Sequence, residues 1–155
     1  MIDGVIITEL KRIGDDRGEI RHALRNTDVT FDGFGEAYFS AVKNGVVKGW
    51  KKHRQMLSNL IVVEGVIRFV LVDDRPNSPT AGQFMDITHS LEKYSRLTVP
   101  PGLWMAFQGI GKDDNLLLNI ASIPHDPTES ENILLDSPNL TRAGIPLINW
   151  GKSHE

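Results

Sequence analysis

The stretch from Gly45 to Arg75 constrains the fold of this chain most. It reads GVVKGWKKHRQMLSNLIVVEGVIRFVLVDDR: a short apolar step, Val46-Val47, leads into the polar cluster Lys48 to Gln55. Two strand-like runs follow, Leu60 to Val63 and Val66 to Val72. Only Glu64-Gly65 separates them, which predicts a tight two-residue hairpin turn. Asp73 to Pro79 is then a long turn. A cationic, histidine-bearing segment is thereby attached to strands, and strands hold side chains more firmly than loops do. The chemistry is expected there.

The rest of the chain repeats the pattern of short strands and turns. Strands are predicted at Val5 to Ile7, Glu19 to Leu24, Glu36 to Val42, Gln83 to Ser90, Ser95 to Val99, Leu103 to Gln108 and Asn115 to Ile123. Gly14 to Gly18 reads as a turn, and Pro100-Pro101-Gly102 stops the strand before it. Leu91 to Tyr94 is expected to make one helical turn and Ser130 to Leu135 a short helix. No helical pattern is long enough to build βαβ units. Strands at roughly 8–12-residue spacing predict a sandwich or barrel. The expected fold is all-β, a jelly-roll-like barrel with short flanking helical turns, in one domain over residues 1–155. The mouth of such a barrel can hold a small molecule.

Charge and composition exclude several partners. The net charge of -3 gives no global basic field for nucleic acid or anionic membrane, although Lys48, Lys51, Lys52 and Arg54 are bunched. There is no cysteine, hence no disulfide, thiolate chemistry or cysteine-based zinc site. No apolar run approaches the roughly 20 residues that span a bilayer. The N-terminus lacks a signal-like stretch, so a cytoplasmic protein is expected.

His53 is the leading candidate for proton transfer. If its segment is extended, Lys51 lies on the same face. His125 opens His-Asp-Pro at a strand end and is the second candidate. His89 reads as an exposed strand residue, His22 as one that could face inward, and His154 as a tail residue. Zinc or iron needs three or four ligands, and the one histidine in the cluster Lys48 to Gln55 does not supply them, so no metal is expected. Arg17, in the turn Asp16-Arg17-Gly18, could clamp a phosphate. Trp50, Trp104, Phe107 and Trp150 are either core or stacking surfaces. Phosphate-loop, dinucleotide-binding and serine-hydrolase motifs are absent.

Several blocks, in order, resemble the dTDP-4-dehydrorhamnose 3,5-epimerase family of cupins and the related sugar 3,4-ketoisomerases. They are Asp16-Arg17-Gly18, the run Gly45 to Trp50, the run Asn59 to Gly65, Val70 to Arg75 with Ser78-Pro79-Thr80, Leu97 to Phe107, and Ile148-Asn149-Trp150. The resemblance implies a cupin barrel that binds a nucleotide-linked 4-keto sugar without a cofactor. A histidine base removes a proton next to the ketone, a lysine or similar donor stabilises the enolate, and an acid on the opposite face returns a proton. The epimerase base position holds Lys51, and His53 falls on the second histidine of the ketoisomerase pattern. Asn59 stands at the family's lysine and Met105 at the histidine after the Pro-x-Gly turn. The acid tyrosine falls near His125, and Asp136 is the nearest match to the aspartate that orients the base. The resemblance thus implies His53 for proton transfer, Lys51 for contact with the enolate or a phosphate, His125 as the second acid/base group and Asp136 as the residue that orients the base. Arg17 and Lys48 would hold the diphosphate, with Trp50, Asn59 and Trp104 as further substrate contacts. A homodimer is expected. The alternative is a sugar-nucleotide-binding cupin that has lost its base.

Overall fold

The computed structural model describes residues 1–151, so His154 lies outside the described residues. Twelve strands occur among them, in chain order β1 (Ile6–Glu9), β2 (Arg12–Asp15), β3 (Gly18–Arg21), β4 (Glu36–Val42), β5 (Val47–His53), β6 (Ser58–Glu64), β7 (Val66–Asp73), β8 (Phe84–Ser90), β9 (Ser95–Val99), β10 (Leu103–Gly109), β11 (Asn115–Ala121) and β12 (Ser130–Asn132). They build two five-stranded sheets, ordered β1-β9-β6-β11-β4 and β12-β5-β10-β7-β8, and a separate β2-β3 ribbon. All strand pairings are antiparallel. The two sheets pack as a jelly roll, and the expected all-β class holds. Among the described residues no helix is long and apolar enough to cross a membrane.

The burial pattern explains the most apolar run in the sequence. Along β7, Ile67, Phe69 and Leu71 enter the core between the sheets, together with Leu60, Leu97 and Leu117. The alternate residues Val70 and Val72 join an outer layer with Trp50, Trp104, Leu140 and Ile145. The C-terminal segment thus covers the outer face of the second sheet, and a strand buried on both faces needs an unbroken apolar sequence. Trp104 belongs to this outer layer: its Nε1 donates to Asp74 Oδ2 at 2.9 Å, and the Lys52 ammonium stands 4.7 Å from its ring centre.

The predicted hairpin at Glu64-Gly65 does not form. β6 pairs with β9 and β11 in the first sheet, whereas β7 pairs with β8 and β10 in the second. Gly65, at φ 72°, turns the chain from one sheet to the other. Asn115 supports the corner by accepting the Val66 N–H at 2.8 Å. Two apolar runs beside a short turn satisfy a hairpin locally, but each run here finds partners on both edges elsewhere.

Two helical expectations also change. Ser130 to Asn132 is a strand, not a helix, in register with β5 from Ser130↔His53 to Asn132↔Lys51. The open edge of β5 offers backbone partners that outweigh weak local helix propensity. Leu91 to Tyr94 is a plain turn between β8 and β9. The turn expected over Gly14 to Gly18 contracts to Asp16-Arg17, the tip of the β2-β3 ribbon, because Gly14-Asp15 and Gly18 pair as strand. The one helical turn among the described residues is a 3₁₀ turn at Thr141–Ala143.

Candidate active site

A cavity of about 420 Å³ lies between the sheets, lined by side chains of β4, β6 and β11 on one wall and of β5 and β10 on the other. Its cationic side is made by an irregularity in β5. Lys51 is in register with Met105 but Lys48 with Phe107, so β5 carries one residue more than β10 over this span. Such a bulge resets the inward-outward alternation. Lys48, Lys51 and His53 therefore all line the cavity, although they stand three and two residues apart. Gly49 makes the bulge possible: its φ is 136°, and a Cβ there would lie 2.6 Å from the Ala106 Cβ. Trp50 turns its ring outward, 6.0 Å from that of Trp150, and Lys52 turns out to bond Asp74 Oδ2 at 2.8 Å.

His53 is held from behind. Its Nδ1 is hydrogen-bonded to Glu129 Oε1, in the residue just before β12. Glu129 is 6% exposed. Its other oxygen accepts the backbone N–H groups of Arg54 and Gln55, both at 3.1 Å, and of Met56 at 3.3 Å. Burial pushes the Glu129 carboxyl up, but the bonds from His53 and from the Gln55 and Met56 amides outweigh it and hold the group below its ordinary value. An ionised carboxylate accepts only, so Nδ1 carries the proton it donates to Glu129. Nε2 of a neutral His53 is then left as an acceptor. A histidine with its tautomer fixed by a carboxylate can take a proton from a bound molecule.

Lys51 and Met105 share the cavity with His53. The Lys48 ammonium bonds Ser40 Oγ at 2.9 Å and the Ala41 carbonyl at 2.7 Å, which ties β5 to β4. Other predicted residues lie apart. Asn59 is buried outside the cavity lining, where its amide donates to the Thr30 carbonyl and accepts from Thr98 Oγ1 at 2.7 Å. His125 and Asp136 are exposed and do not line the cavity. Arg17 is exposed at the ribbon tip and bonded to Asp15. Glu129 was missed by sequence reasoning, and no local pattern marks it, since its partner stands 76 residues earlier.

A larger groove of about 1030 Å³ runs along residues 7–12 and 87–95. Its histidine, His89, is buried, bonded through Nδ1 to Ser95 Oγ and set edge-on to Phe69. Burial holds that imidazole below its ordinary value, and among the described residues no carboxylate is bonded to it. The smaller cavity, with a carboxylate-paired histidine and two lysines on its wall, is the better chemical site. Among the described residues no three His, Asp or Glu side chains converge as a metal-ligand set.

Comparison with known proteins agrees with this geometry. A family model described as dTDP-4-dehydrorhamnose 3,5-epimerase matches residues 1–150. The crystal structure of a dTDP sugar isomerase from Desulfovibrio desulfuricans G20 superposes with a TM-score of 0.88 at 36% identity, covering 96% of this chain and 92% of that one. A probable low-salt glycan biosynthesis epimerase of Haloferax volcanii is 26% identical over 127 residues, 81% of each chain. The spore coat polysaccharide biosynthesis protein SpsL of Bacillus subtilis is 24% identical over 131 residues, 84% of this chain and 87% of its own. With a match that runs through both sheets and every wall of the cavity, the chain belongs to the dTDP-4-dehydrorhamnose 3,5-epimerase family, whose members are sugar-nucleotide epimerases, an isomerase class.

Proposed function

We propose that the cavity binds a dTDP-linked 4-keto-6-deoxyhexose and that His53 moves the proton next to its ketone. The observation that carries this reading is the His53–Glu129 pair on the cavity wall. A C–H beside a carbonyl becomes usefully acidic only when the developing oxyanion is stabilised. Lys51, on the same strand and the same wall, supplies that charge. The role held by a histidine at the Lys51 position in the epimerase pattern thus passes to the next inward-facing residue of β5. Glu129 takes the orienting part that the sequence offered to Asp136.

Lys48 contacts the diphosphate at the cavity edge, and Trp50 forms part of the wall. Trp104 and Asn59 act behind that wall, through packing and hydrogen bonds. Arg17 lies outside the chain's own cavity, so its phosphate role requires a second copy. In the proposed homodimer, the β2-β3 ribbon covers its exposed cross-strand pair Ile13↔Ile20 against the partner and brings Arg17 to the partner's site. In this reading the protein is cytoplasmic and acts in deoxysugar and polysaccharide biosynthesis; the glycan and spore coat polysaccharide biosynthesis named for the Haloferax and Bacillus relatives support the polysaccharide part.

The test is incubation with a dTDP-4-keto-6-deoxy sugar in D2O, followed by NMR of the recovered sugar. Deuterium at both C3 and C5 is expected of a 3,5-epimerase. Exchange at C3 alone with the ketone in place marks a 3-epimerase, and migration of the ketone marks a ketoisomerase. His53→Asn is expected to slow exchange by about 10²–10⁴-fold with ligand binding retained. Binding by the parent protein without any exchange would instead favour a non-catalytic sugar-nucleotide-binding cupin.

A further inference from the structure

We infer that Tyr38 is the acid that returns a proton to the substrate from the face opposite His53. The inference rests on the proposed function and names a group that it leaves open. Inversion at a carbon requires two groups on opposite sides, one to take the proton and one to give it back. His53 belongs to the second sheet. The facing wall, from the first sheet, is formed by Tyr38 and Ser40 on β4, Ser58 and Leu60 on β6, and Leu117 and Asn119 on β11. Tyr38 is the one titratable side chain in that set. His125, the candidate for this role from the sequence, is exposed and outside the cavity.

Tyr38 is also prepared for the task by its neighbour. Asn119 is its direct cross-strand partner in the β4-β11 pairing. Asn119 Nδ2 donates to the Tyr38 hydroxyl at 3.0 Å. Because the phenol oxygen accepts that bond, its own proton is left for a molecule in the cavity. Asn119 is 4% exposed, and its Oδ1 is buried without a hydrogen-bond partner among the described residues. A buried acceptor left unpaired is costly, and a side chain that lines the cavity in this state matches a ligand that supplies a donor. A sugar hydroxyl is such a donor. Tyr38 and Asn119 thus form a second polar pair across the cavity from His53 and Glu129.

The step balances. The C–H electron pair becomes the enolate as the proton passes to His53 Nε2. The enolate carbon then forms its new C–H bond with the Tyr38 phenolic proton as the O–H bond breaks. An imidazolium and a tyrosinate remain, and proton exchange with water restores both. Tyr38 is 43% exposed at the cavity, which gives the solvent access this recovery needs.

Tyr38→Phe, assayed with dTDP-4-keto-6-deoxyglucose in D2O beside the parent and His53→Asn, tests the inference. The phenylalanine variant is expected to keep exchange beside the ketone within about threefold, while net inversion falls by about 10²-fold or more and deuterium returns to the original face. His53→Asn should lose both exchange and inversion. Inversion at the parental rate by Tyr38→Phe overturns the inference, and so does an equal loss of exchange and inversion in that variant. A parent that exchanges without inverting also overturns Tyr38 while leaving His53 in place. A parent that neither exchanges nor inverts overturns the proposed function and the Tyr38 assignment together.

Discussion

Asp73 and Glu129 are both buried carboxylates of the second sheet's strand ends, and both are held below their ordinary values, yet they serve different ends. Asp73 closes β7. It accepts from Arg75 Nε at 2.8 Å and a second guanidinium nitrogen at 2.9 Å, from Ser78 Oγ at 2.6 Å and from Thr80 Oγ1 at 2.7 Å. All of these partners lie in the turn that Asp73 itself begins, and Arg75 goes on to bond the Asp3 carbonyl at 2.8 Å. Glu129 also accepts several bonds, but one of its partners is a side chain with another nitrogen to offer to the cavity. The number of hydrogen bonds does not separate the two carboxylates. What separates them is whether the network ends inside the protein or on the wall of a cavity.

Substitution at Asp73 should break the structural side of this contrast. Asp73→Asn leaves the Arg75 guanidinium without its counter-charge in a partly buried turn, and is expected to cost about 3 kcal/mol in urea unfolding. The activity of the folded fraction should stay near the parental level. Little loss of stability would mean that the turn holds without its charge.

Glu129→Gln sharpens the functional side. The amide oxygen can still accept the three backbone N–H groups of residues 54–56. Its NH₂ then faces His53 Nδ1, which must accept, and the imidazole proton moves to Nε2 where the base is needed. We expect kcat to fall by about 10²-fold with KM little changed, and the pH-rate profile to shift. An unchanged kcat would reduce Glu129 to a second structural carboxylate.

A smaller effect concerns acid stability. Each group binds its proton more weakly folded than unfolded: Asp73 chiefly through the Arg75 bonds, Glu129 through His53 and the amides against the push of burial. The unfolded chain therefore takes up more protons, and stability rises with pH through that window. The contribution is complete above the ordinary values of 4.5 for glutamate and 3.8 for aspartate, and is lost as pH falls toward the lowered folded values. Thermal melts from about pH 6 down to about pH 2 should show the loss begin with Glu129 and steepen with Asp73. Glu129→Gln should flatten the upper part of the curve and Asp73→Asn the lower part.

The fold was largely legible because strands announce themselves locally. β4 lies where Glu36 to Val42 predicted it, β9 where Ser95 to Val99 did, and β10 extends the predicted run by one residue to Gly109. The Lys51 and His53 positions were also readable, since period-two alternation over three residues brings both to one face, as observed. Lys48 joins them only through the bulge opposite Met105 and Phe107, which no count along the strand would reveal.

The amino-acid sequence by itself determined the all-β class, the positions of most strands and the shared face of Lys51 and His53, because each depends on neighbours within a few positions. The tertiary structure alone decided the rest. It separated β6 from β7 although they are adjacent in the chain, and it drew Ser130 to Asn132 onto the edge of β5 as a strand. It also turned Trp104 away from the cavity, set Glu129 behind His53 and placed Tyr38 across from it. The physical reason is shared: edge pairing, two-sided burial and the satisfaction of buried polar groups are settled between segments far apart in the chain, and local preference yields wherever those interactions are stronger.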